Sequence, residues 1–71
     1  MYRGHSMKRL RELRREHKLT QEQAAEVMTV TRRTYLRYEQ GDSAPDIRQA
    51  ALLADRYKVS LDYLVGRSDK R

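Results

Sequence analysis

Cysteine, tryptophan and phenylalanine are absent from this 71-residue sequence, and proline occurs only once. Without cysteine the chain can form neither a disulfide nor a thiolate metal site. Two histidines, His5 and His17, do not provide a zinc site in the absence of cysteine partners. The length corresponds to a single small domain, and we expect it to hold no metal and no other cofactor.

Long apolar stretches are also missing. The longest unbroken run covers only residues 50–54, whereas a membrane-spanning helix needs about 18 apolar residues. No segment has the basic, apolar and small-residue order of a signal peptide. No nucleophile–base pair, carboxylate pair or metal-ligand cluster can be recognised. These absences predict a cytoplasmic protein that is not an enzyme and does not engage a membrane.

Basic residues are abundant. The sequence has 16 lysines and arginines against 10 aspartates and glutamates, which gives a formal net charge of +6 and a pI near 10.1. The excess lies in two blocks, residues 6–18 with a net charge of +4 and residues 31–41 with +2. A solvated surface is one explanation for this charge. The alternative is a polyanionic partner, and nucleic acid is the first candidate.

Apolar residues recur at helical spacing along the chain, and no alternating pattern indicates a strand. We therefore predict an all-α fold, a compact bundle of five helices. The residues expected to start the helices are Ser6, Thr20, Thr31, the pair Pro45 and Asp46, and Ser60. Gln23, three residues after Thr20, completes a capping-box pattern. Gly41 and Gly66 are expected to end the third and fifth helices.

The expected domain covers residues 6–66. Its fourth helix carries a predicted buried stripe that runs from Ile47 to Tyr57, with the Tyr57 hydroxyl in contact with water. Residues 1–5 are expected to be a flexible N-terminus or an expression remnant. Residues 67–71 are expected to be a frayed polar tail.

The segment 20–41 contains the strongest functional signal. A short capped helix, a tight break at residues 29–31 and a second helix form the layout of a helix-turn-helix, whose second helix lies in the DNA major groove. That second helix begins with Arg32 and Arg33, and Arg37 follows about one turn later. Because an arginine fork can bond guanine O6 and N7 together, these three side chains, predicted to share one exposed face, are candidate base readers.

The start of the first helix of this pair offers a second contact with DNA. Its first backbone amides are unpaired within the helix and can bind a phosphate oxygen. The Gln21 side chain can add a hydrogen bond to the same phosphate. Alternatively it only completes a polar first turn, and the residues alone leave both interpretations open.

Three runs of the sequence resemble one known family. Residues 13–25, LRREHKLTQEQAA, resemble the opening of phage-repressor/Cro-type helix-turn-helix domains, the Xre family. Residues 30–41, VTRRTYLRYEQG, followed by Pro45, resemble the recognition helix and terminating loop of that family. Residues 59–66, VSLDYLVG, resemble its closing helix. The resemblance extends over about residues 7–66.

The resemblance implies a lambda-repressor-like fold with the helix-turn-helix at about residues 21–40. The family's base-reading positions correspond here to Arg32, Arg33 and Arg37. Positions that often contact phosphate correspond to Gln21, Thr34 and Gln40. A structural ion pair between the first helix and the recognition helix corresponds to Arg14 and Glu39.

Four positions depart from the family pattern. Thr29 stands where glycine is usual, and a β-branched residue is poorly suited to positive φ, so we expect the turn to be either slightly remodelled or strained by about 1 kcal/mol. Asp42 replaces a basic residue that often approaches phosphate, which argues against a phosphate contact from that loop. Ala24 replaces a common leucine, and Lys58 replaces a frequent glycine.

The charge and the resemblance together predict a sequence-specific transcriptional regulator that binds double-stranded DNA and associates with the nucleoid when bound. The simplest mode of action is that of a repressor, which occupies its operator. Fold does not fix function, however. The alternative is an antitoxin or a protein-interaction adaptor on the same fold, with a toxin or a regulatory protein as its partner.

A homodimer is implied by the family and by groove geometry. One recognition helix covers only a few base pairs, so affinity would come from two half-sites about 34 Å apart in a pseudo-palindromic operator. The dimer is expected either in solution or only on DNA. Candidate residues for a small self-complementary patch are Leu61, Tyr63 and Val65, although an ordinary surface explains them equally well.

Overall fold

The computed structural model describes residues 7–71. The predicted cap at Ser6 and the predicted N-terminal segment 1–5 lie outside the described residues. Between residues 7 and 71 the chain forms five α-helices and no strand, which confirms the predicted fold class. The helices are α1 (Met7–Glu16), α2 (Gln21–Met28), α3 (Arg32–Gln40), α4 (Ile47–Tyr57) and α5 (Leu61–Leu64).

Side-chain caps start α2, α3 and α5 where the sequence predicted them. The Thr20 hydroxyl accepts a hydrogen bond from the Gln23 amide at 3.0 Å, and the Gln23 side chain accepts one from the Thr20 amide at 2.8 Å. This reciprocal pair is the predicted capping box. Thr31 and Ser60 cap the helices that follow them through their hydroxyl oxygens. These three predictions are confirmed.

The fourth helix starts later than predicted. Asp46 is its N-cap, because the Asp46 carboxylate accepts from the Gln49 amide at 2.9 Å while Gln49 Oε1 accepts from the Asp46 amide at 3.1 Å. This capping box makes Ile47 the first helical residue. The prediction that Pro45 lies in the first turn is therefore wrong, and Pro45 is instead a buried residue of the preceding loop.

Three of the connections between these helices have the same backbone path. Each contains a left-handed residue, at a φ of 59° for Lys18, 59° for Thr29 and 58° for Lys58. A half-buried apolar residue follows, and then comes the threonine or serine that caps the next helix. In the central turn, the Thr29 amide donates to the Glu26 carbonyl and the Val30 amide to the Ala25 carbonyl, both at 3.0 Å. This is a Schellman motif, in which Thr29 takes the left-handed conformation that glycine usually has at this position.

One apolar core lies between the helices. Its buried members are Leu10, Leu13, Ala24, Ala25, Met28, Tyr35, Tyr38, Ala50, Leu53, Ala54, Tyr57, Leu64 and Val65. Ile47 is 64% exposed, so its predicted place in the buried stripe is wrong. The reason is that α4 first reaches the core at Ala50, one turn further along the helix.

The tail is held against the helices and is not frayed, contrary to our expectation for residues 67–71. The Arg9 guanidinium lies 4.1 Å from the centroid of the Tyr63 ring and donates to the Tyr63 carbonyl at 2.9 Å. Arg71 lies 5.3 Å from the centroid of the same ring. Its guanidinium also makes two hydrogen bonds to the Glu16 carboxylate. Contacts with α1 and α5 therefore fix the end of the described chain.

Tyr57 is more deeply buried than predicted. Its ring stacks on His17 with the ring centroids 4.6 Å apart, and only 2% of the residue is exposed. The Tyr57 hydroxyl is buried and makes no hydrogen bond within residues 7–71, so the expectation that it contacts water is wrong. Burial raises the pKa of Tyr57 to about 12.

Replacing Tyr57 with phenylalanine is expected to raise the free energy of unfolding by about 1 kcal/mol. The substitution removes a buried hydroxyl that pays for its desolvation without a hydrogen bond, and it keeps the ring. Urea denaturation at neutral pH measures the effect. A second measurement is the dependence of stability on alkaline pH. Because the pKa of Tyr57 is raised in the folded state, the free energy of unfolding falls as the pH rises from 10 towards 12. The Tyr57→Phe variant should lose less stability over this range. A variant less stable than the wild type would contradict the prediction.

Candidate nucleic-acid interface

Helix α3 is held in place by its buried face. Tyr35, Tyr38 and Glu39 are its buried residues, and they hold one side of the helix against the rest of the bundle. The residues on the opposite side include Arg33, Arg37 and Gln40, which are all exposed. The surface that α3 presents to a partner is therefore basic and polar.

The three arginines do not share one face of α3. Successive residues of an α-helix are about 100° apart, so Arg33 and Arg37 lie about 40° from each other, opposite the buried side. Arg32 lies about 100° from Arg33, nearer to α2. There Arg32 Nη2 donates to Gln21 Oε1 at 3.4 Å. The expectation of a common face is correct for Arg33 and Arg37 and wrong for Arg32.

The guanidinium groups of Arg33 and Arg37 are available to a partner. Neither makes a hydrogen bond or an ion pair with the described part of the chain, and both side chains are exposed. In contrast, Arg9, Arg11, Arg14 and Arg71 each contact a carboxylate. Arg33 and Arg37, which form the outward stripe of α3, can therefore donate hydrogen bonds to a partner.

The predicted phosphate-contacting residues surround this stripe. Gln21 is the first residue of α2 and is half-buried beside Arg32. The Thr34 hydroxyl accepts a hydrogen bond from the Thr31 hydroxyl at 3.1 Å, within the cap of α3. Gln40 is the exposed last residue of α3, one turn beyond Arg37. These positions are compatible with a DNA backbone on either side of α3.

A buried carboxylate connects α3 to α1. The Glu39 side chain is fully buried, and Arg14 Nε donates to Glu39 Oε2 at 2.7 Å. The Tyr35 hydroxyl donates to the same oxygen at 2.6 Å, and Arg11 Nε lies 3.6 Å from Glu39 Oε1. The contact that the resemblance implied between Arg14 and Glu39 is thus present.

These contacts keep Glu39 ionised. Burial by itself would raise the pKa of Glu39, but the hydrogen bonds from Arg14 and Tyr35 outweigh it, and the pKa lies below its usual value. The hydrogen bond to Glu39 also raises the pKa of Arg14. Burial, together with the same carboxylate, raises the pKa of Tyr35, which stays protonated as a donor. The charged pair and the phenol fix the rotation of α3, and so determine which residues face outward.

Sequence reasoning missed the part that Tyr35 plays in this network. Tyr35 is fully buried in the core, as an aromatic ring usually is. The additional signal was the four-residue separation from Glu39, which places the two side chains on one face of a helix. Arg9, which anchors the tail through the Tyr63 and Ser68 carbonyls, had no such local signal, because its partners lie more than 50 positions away.

The predicted dimer patch is smaller than expected. Val65 is only 4% exposed and belongs to the core, so it cannot contribute to a surface. It is buried because α5 is a single turn, and its last residues pack inward together with Leu64. Leu61 and Tyr63 are half-buried, and the Tyr63 ring is in contact with the guanidinium groups of Arg9 and Arg71.

Other classes of site were also considered. No group of histidine, aspartate or glutamate side chains in the described range could hold a metal ion. None of the helices between residues 7 and 71 is long and apolar enough to cross a membrane. A groove beside α1 is lined by Arg11, Glu12, Arg15 and Glu39, and its positive and negative charges balance. The outward stripe of Arg33 and Arg37, whose positive charge is not paired, is therefore the better candidate for a binding site.

Comparison with known proteins agrees with this geometry. The helix-turn-helix family model matches residues 10–64. The uncharacterized HTH-type transcriptional regulator YobD of Bacillus subtilis (strain 168) is 43% identical over 61 residues, which are 86% of this chain and 54% of that protein. The cryptic phage CTXphi transcriptional repressor RstR of Vibrio cholerae is 38% identical over 61 residues, or 86% of this chain and 55% of that protein.

A solved structure supports the same assignment. The crystal structure of a transcriptional regulator from Listeria innocua superposes with a TM-score of 0.83 at 35% identity, covering 93% of this chain and 62% of that one. The chain spans about half the length of the curated relatives it matches. The expectation that it is not an enzyme is confirmed by its family. Sequence, fold and relatives agree that the chain belongs to the Xre-type helix-turn-helix family.

Proposed function

We propose that this protein is a sequence-specific DNA-binding regulator of transcription that inserts α3 into the major groove of its operator. The observation that supports this most is the exposed stripe of Arg33 and Arg37, which no carboxylate of the described chain neutralises. A helix fits the major groove, and arginine forks bind base edges there. The formal net charge of +6 adds attraction to the phosphates.

The remaining contacts follow from what surrounds the stripe. Gln21, Thr34 and Gln40 would bond phosphate oxygens and fix the register of the protein on the duplex. The buried Glu39 network would keep α3 in one orientation before DNA binds, so that little ordering is needed on binding. Repression by occupancy of an operator is the simplest outcome of such binding. The printed name of the Vibrio cholerae relative, a transcriptional repressor, supports this mode of action.

The bound form would be a homodimer on a pseudo-palindromic operator. One copy of α3 has nine residues, which span about 14 Å and cover only a few base pairs. Two copies in half-sites one helical turn apart would supply the missing affinity. Leu61 and Tyr63 are the residues of the predicted patch that retain surface for this contact, which would form in solution or only on DNA.

Fluorescence anisotropy with duplex DNA tests the proposal. We expect log Kobs to fall linearly with log salt, with a slope of about −0.9 for each phosphate contact. We expect Arg33→Ala and Arg37→Ala each to weaken binding to the preferred duplex by about 1–3 kcal/mol. Arg56→Ala, which removes an exposed positive charge from α4, is the matched control and should have a small effect. Titration of a two-half-site duplex gives the number of chains bound.

Two results would count against the proposal. The first is the absence of binding to any duplex at low salt. The second is an equal response to the variants of α3 and to the Arg56 control, which would reduce the interaction to non-specific attraction between charges.

A further inference from the structure

We propose that Lys18 and Lys58 form a second contact with DNA, which holds the phosphate backbone just outside the base pairs that α3 covers. This inference rests on the proposed function and adds to it a site on two turns that lie outside the helix-turn-helix. Three observations support it: the backbone conformation of the two lysines, the ring contact that brings their turns together, and the unpaired charge of both side chains.

The first observation is that both lysines adopt a conformation in which glycine costs less. Each lies in the left-handed region, at φ values of 59° and 58°. A residue with a Cβ carries a free-energy penalty in this region, and glycine carries none. The turns are closed by backbone hydrogen bonds, from the Lys18 amide to the Arg15 carbonyl and from the Lys58 amide to the Asp55 carbonyl. The turns therefore do not require a lysine, and residues held in such conformations are concentrated at functional sites.

The second observation is that the two turns are neighbours. The His17 ring stacks on the Tyr57 ring with the centroids 4.6 Å apart. Each lysine is the next residue of the chain, so its Cα lies about 3.8 Å from the Cα of the stacked residue before it. The ends of α1 and α4 therefore place both exposed lysines in one region of the surface.

The third observation is that neither ammonium group is neutralised. Both lysines are exposed, and neither side chain makes an ion pair or a hydrogen bond with residues 7–71. Of the carboxylates close to them in sequence, Glu16 binds the Arg71 guanidinium, and Asp55 is exposed and pairs with neither lysine. The two turns thus present two free positive charges, which attract a polyanion.

The position of Lys18 indicates which part of the DNA is bound. Gln21, which we propose as a phosphate contact, follows three residues later, so the two Cα atoms are at most about 11 Å apart. The nine residues of α3 span about 14 Å, whereas the domain extends for 27 Å along its longest axis and so reaches beyond the base pairs that α3 covers. A lysine binds phosphate as a point charge and carries no sequence information. The backbone of the adjoining DNA is the ligand that fits this position.

Glycine substitutions separate the cost of the conformation from the use of the charge. Lys18→Gly and Lys58→Gly keep the left-handed backbone and remove the ammonium group. We expect the melting temperature of each variant to rise by a few degrees, because the penalty of the Cβ is relieved. Affinity for a long duplex should fall by about 3-fold for each lysine. The slope of log Kobs against log salt should become shallower by about 0.9 for each lysine of each bound chain.

The matched control is Thr29→Gly, which replaces the uncharged residue that has the same conformation in the central turn. This variant should also gain thermal stability, and its affinity and salt slope should equal those of the wild type. Lys18→Arg and Lys58→Arg keep the charge and should bind as the wild type does. Thermal denaturation and fluorescence anisotropy measure the two quantities in the full chain.

Two duplexes locate the contact. The shorter one ends at the outermost base pairs that selection from a randomised pool specifies, and the longer one has about six further base pairs at each end, or about 20 Å. We expect the wild type to bind the longer duplex about 10-fold more tightly for each bound chain. The double variant Lys18→Gly and Lys58→Gly should bind the two duplexes equally.

The outcomes separate this inference from the proposed function. If no duplex is bound, both fail together. If the wild type distinguishes between sequences but binds the two duplexes equally, only this inference fails. It also fails if the glycine variants gain stability and lose no affinity, because the lysines are then only solvated. An equal loss on both duplexes, or bridging of two labelled duplexes that depends on the lysines, would place the contact elsewhere and overturn the assignment.

Discussion

Replacing Glu39 with alanine is expected to lower the free energy of unfolding by about 3–5 kcal/mol, the usual result of removing one partner of a buried ion pair. Arg14, which is only 12% exposed in its side chain, would lose its carboxylate. The Tyr35 hydroxyl would lose the carboxylate oxygen that accepts its hydrogen bond. A domain of this length is stabilised by only about 4–10 kcal/mol in total. The Glu39→Ala variant would therefore lose a large part of its total stability, and its melting temperature would fall accordingly, as thermal denaturation followed by circular dichroism would show.

The matched control is Glu12→Ala, which removes an exposed glutamate from α1 and should change stability by less than about 0.5 kcal/mol. A second comparison replaces the whole polar cluster with apolar groups, in the triple variant Arg14→Met, Tyr35→Phe and Glu39→Met. Because the guanidinium, the phenol and the carboxylate are removed together, none of the three is left buried without the others, and most of the lost stability should return. A Glu39→Ala variant within about 1 kcal/mol of the wild type would show that the network contributes little.

The wild-type protein is expected to lose stability as the pH falls below about 4.5. The pKa of Glu39 in the folded state lies below the ordinary value of 4.5, since hydrogen bonds from Arg14 and Tyr35 outweigh the effect of burial. A depressed folded pKa means that the contribution is fully present above the unfolded pKa and is lost as the pH falls through the folded pKa. In that window each such carboxylate lowers stability by about 1.4 kcal/mol for every pH unit.

The Glu39→Gln variant isolates this contribution. Glutamine keeps an oxygen that can accept from the Tyr35 hydroxyl, but it cannot ionise. Urea denaturation from pH 7 to pH 3 should therefore give a less stable variant at neutral pH and a shallower decline in acid. The exposed Glu16 carboxylate, whose pKa is lowered by its hydrogen bonds from Arg71, contributes to the remaining slope. Identical slopes in the variant and the wild type would contradict the assignment.

Local signals in the sequence predicted the elements that depend on local chemistry. The caps at Thr20, Thr31 and Ser60 were predictable because a hydroxyl at that position pairs with an amide only three residues away. The start of α4 was predicted too early, because a proline signal and an aspartate signal overlap there. The local sequence contained the information needed to place the start of α4, but the aspartate cap had to be given more weight than the proline.

Features that depend on tertiary contacts were not predictable from spacing. Ile47 has the helical spacing of the buried residues of α4, but it is exposed because the N-terminal turn of α4 extends beyond the core. The orientation of Arg32 depends on Gln21, eleven positions earlier, which lies on a different helix. The tail is held by residues of α1 at the opposite end of the sequence. At the candidate site, the three arginines could be identified from the sequence. That Arg32 lies apart from Arg33 and Arg37 could be seen only in the structure.

The repeated turn has a consequence for how such domains are found. Lysine and threonine both occupy a conformation for which glycine is the usual choice, because two backbone hydrogen bonds and an anchored apolar neighbour hold it. A search pattern that demands glycine at the bend would pass over this chain. In this chain a doublet follows the bend at all three turns, Leu19-Thr20, Val30-Thr31 and Val59-Ser60, and both of its members have a structural role. Divergent relatives could be recognised by that doublet where the small residue has been lost.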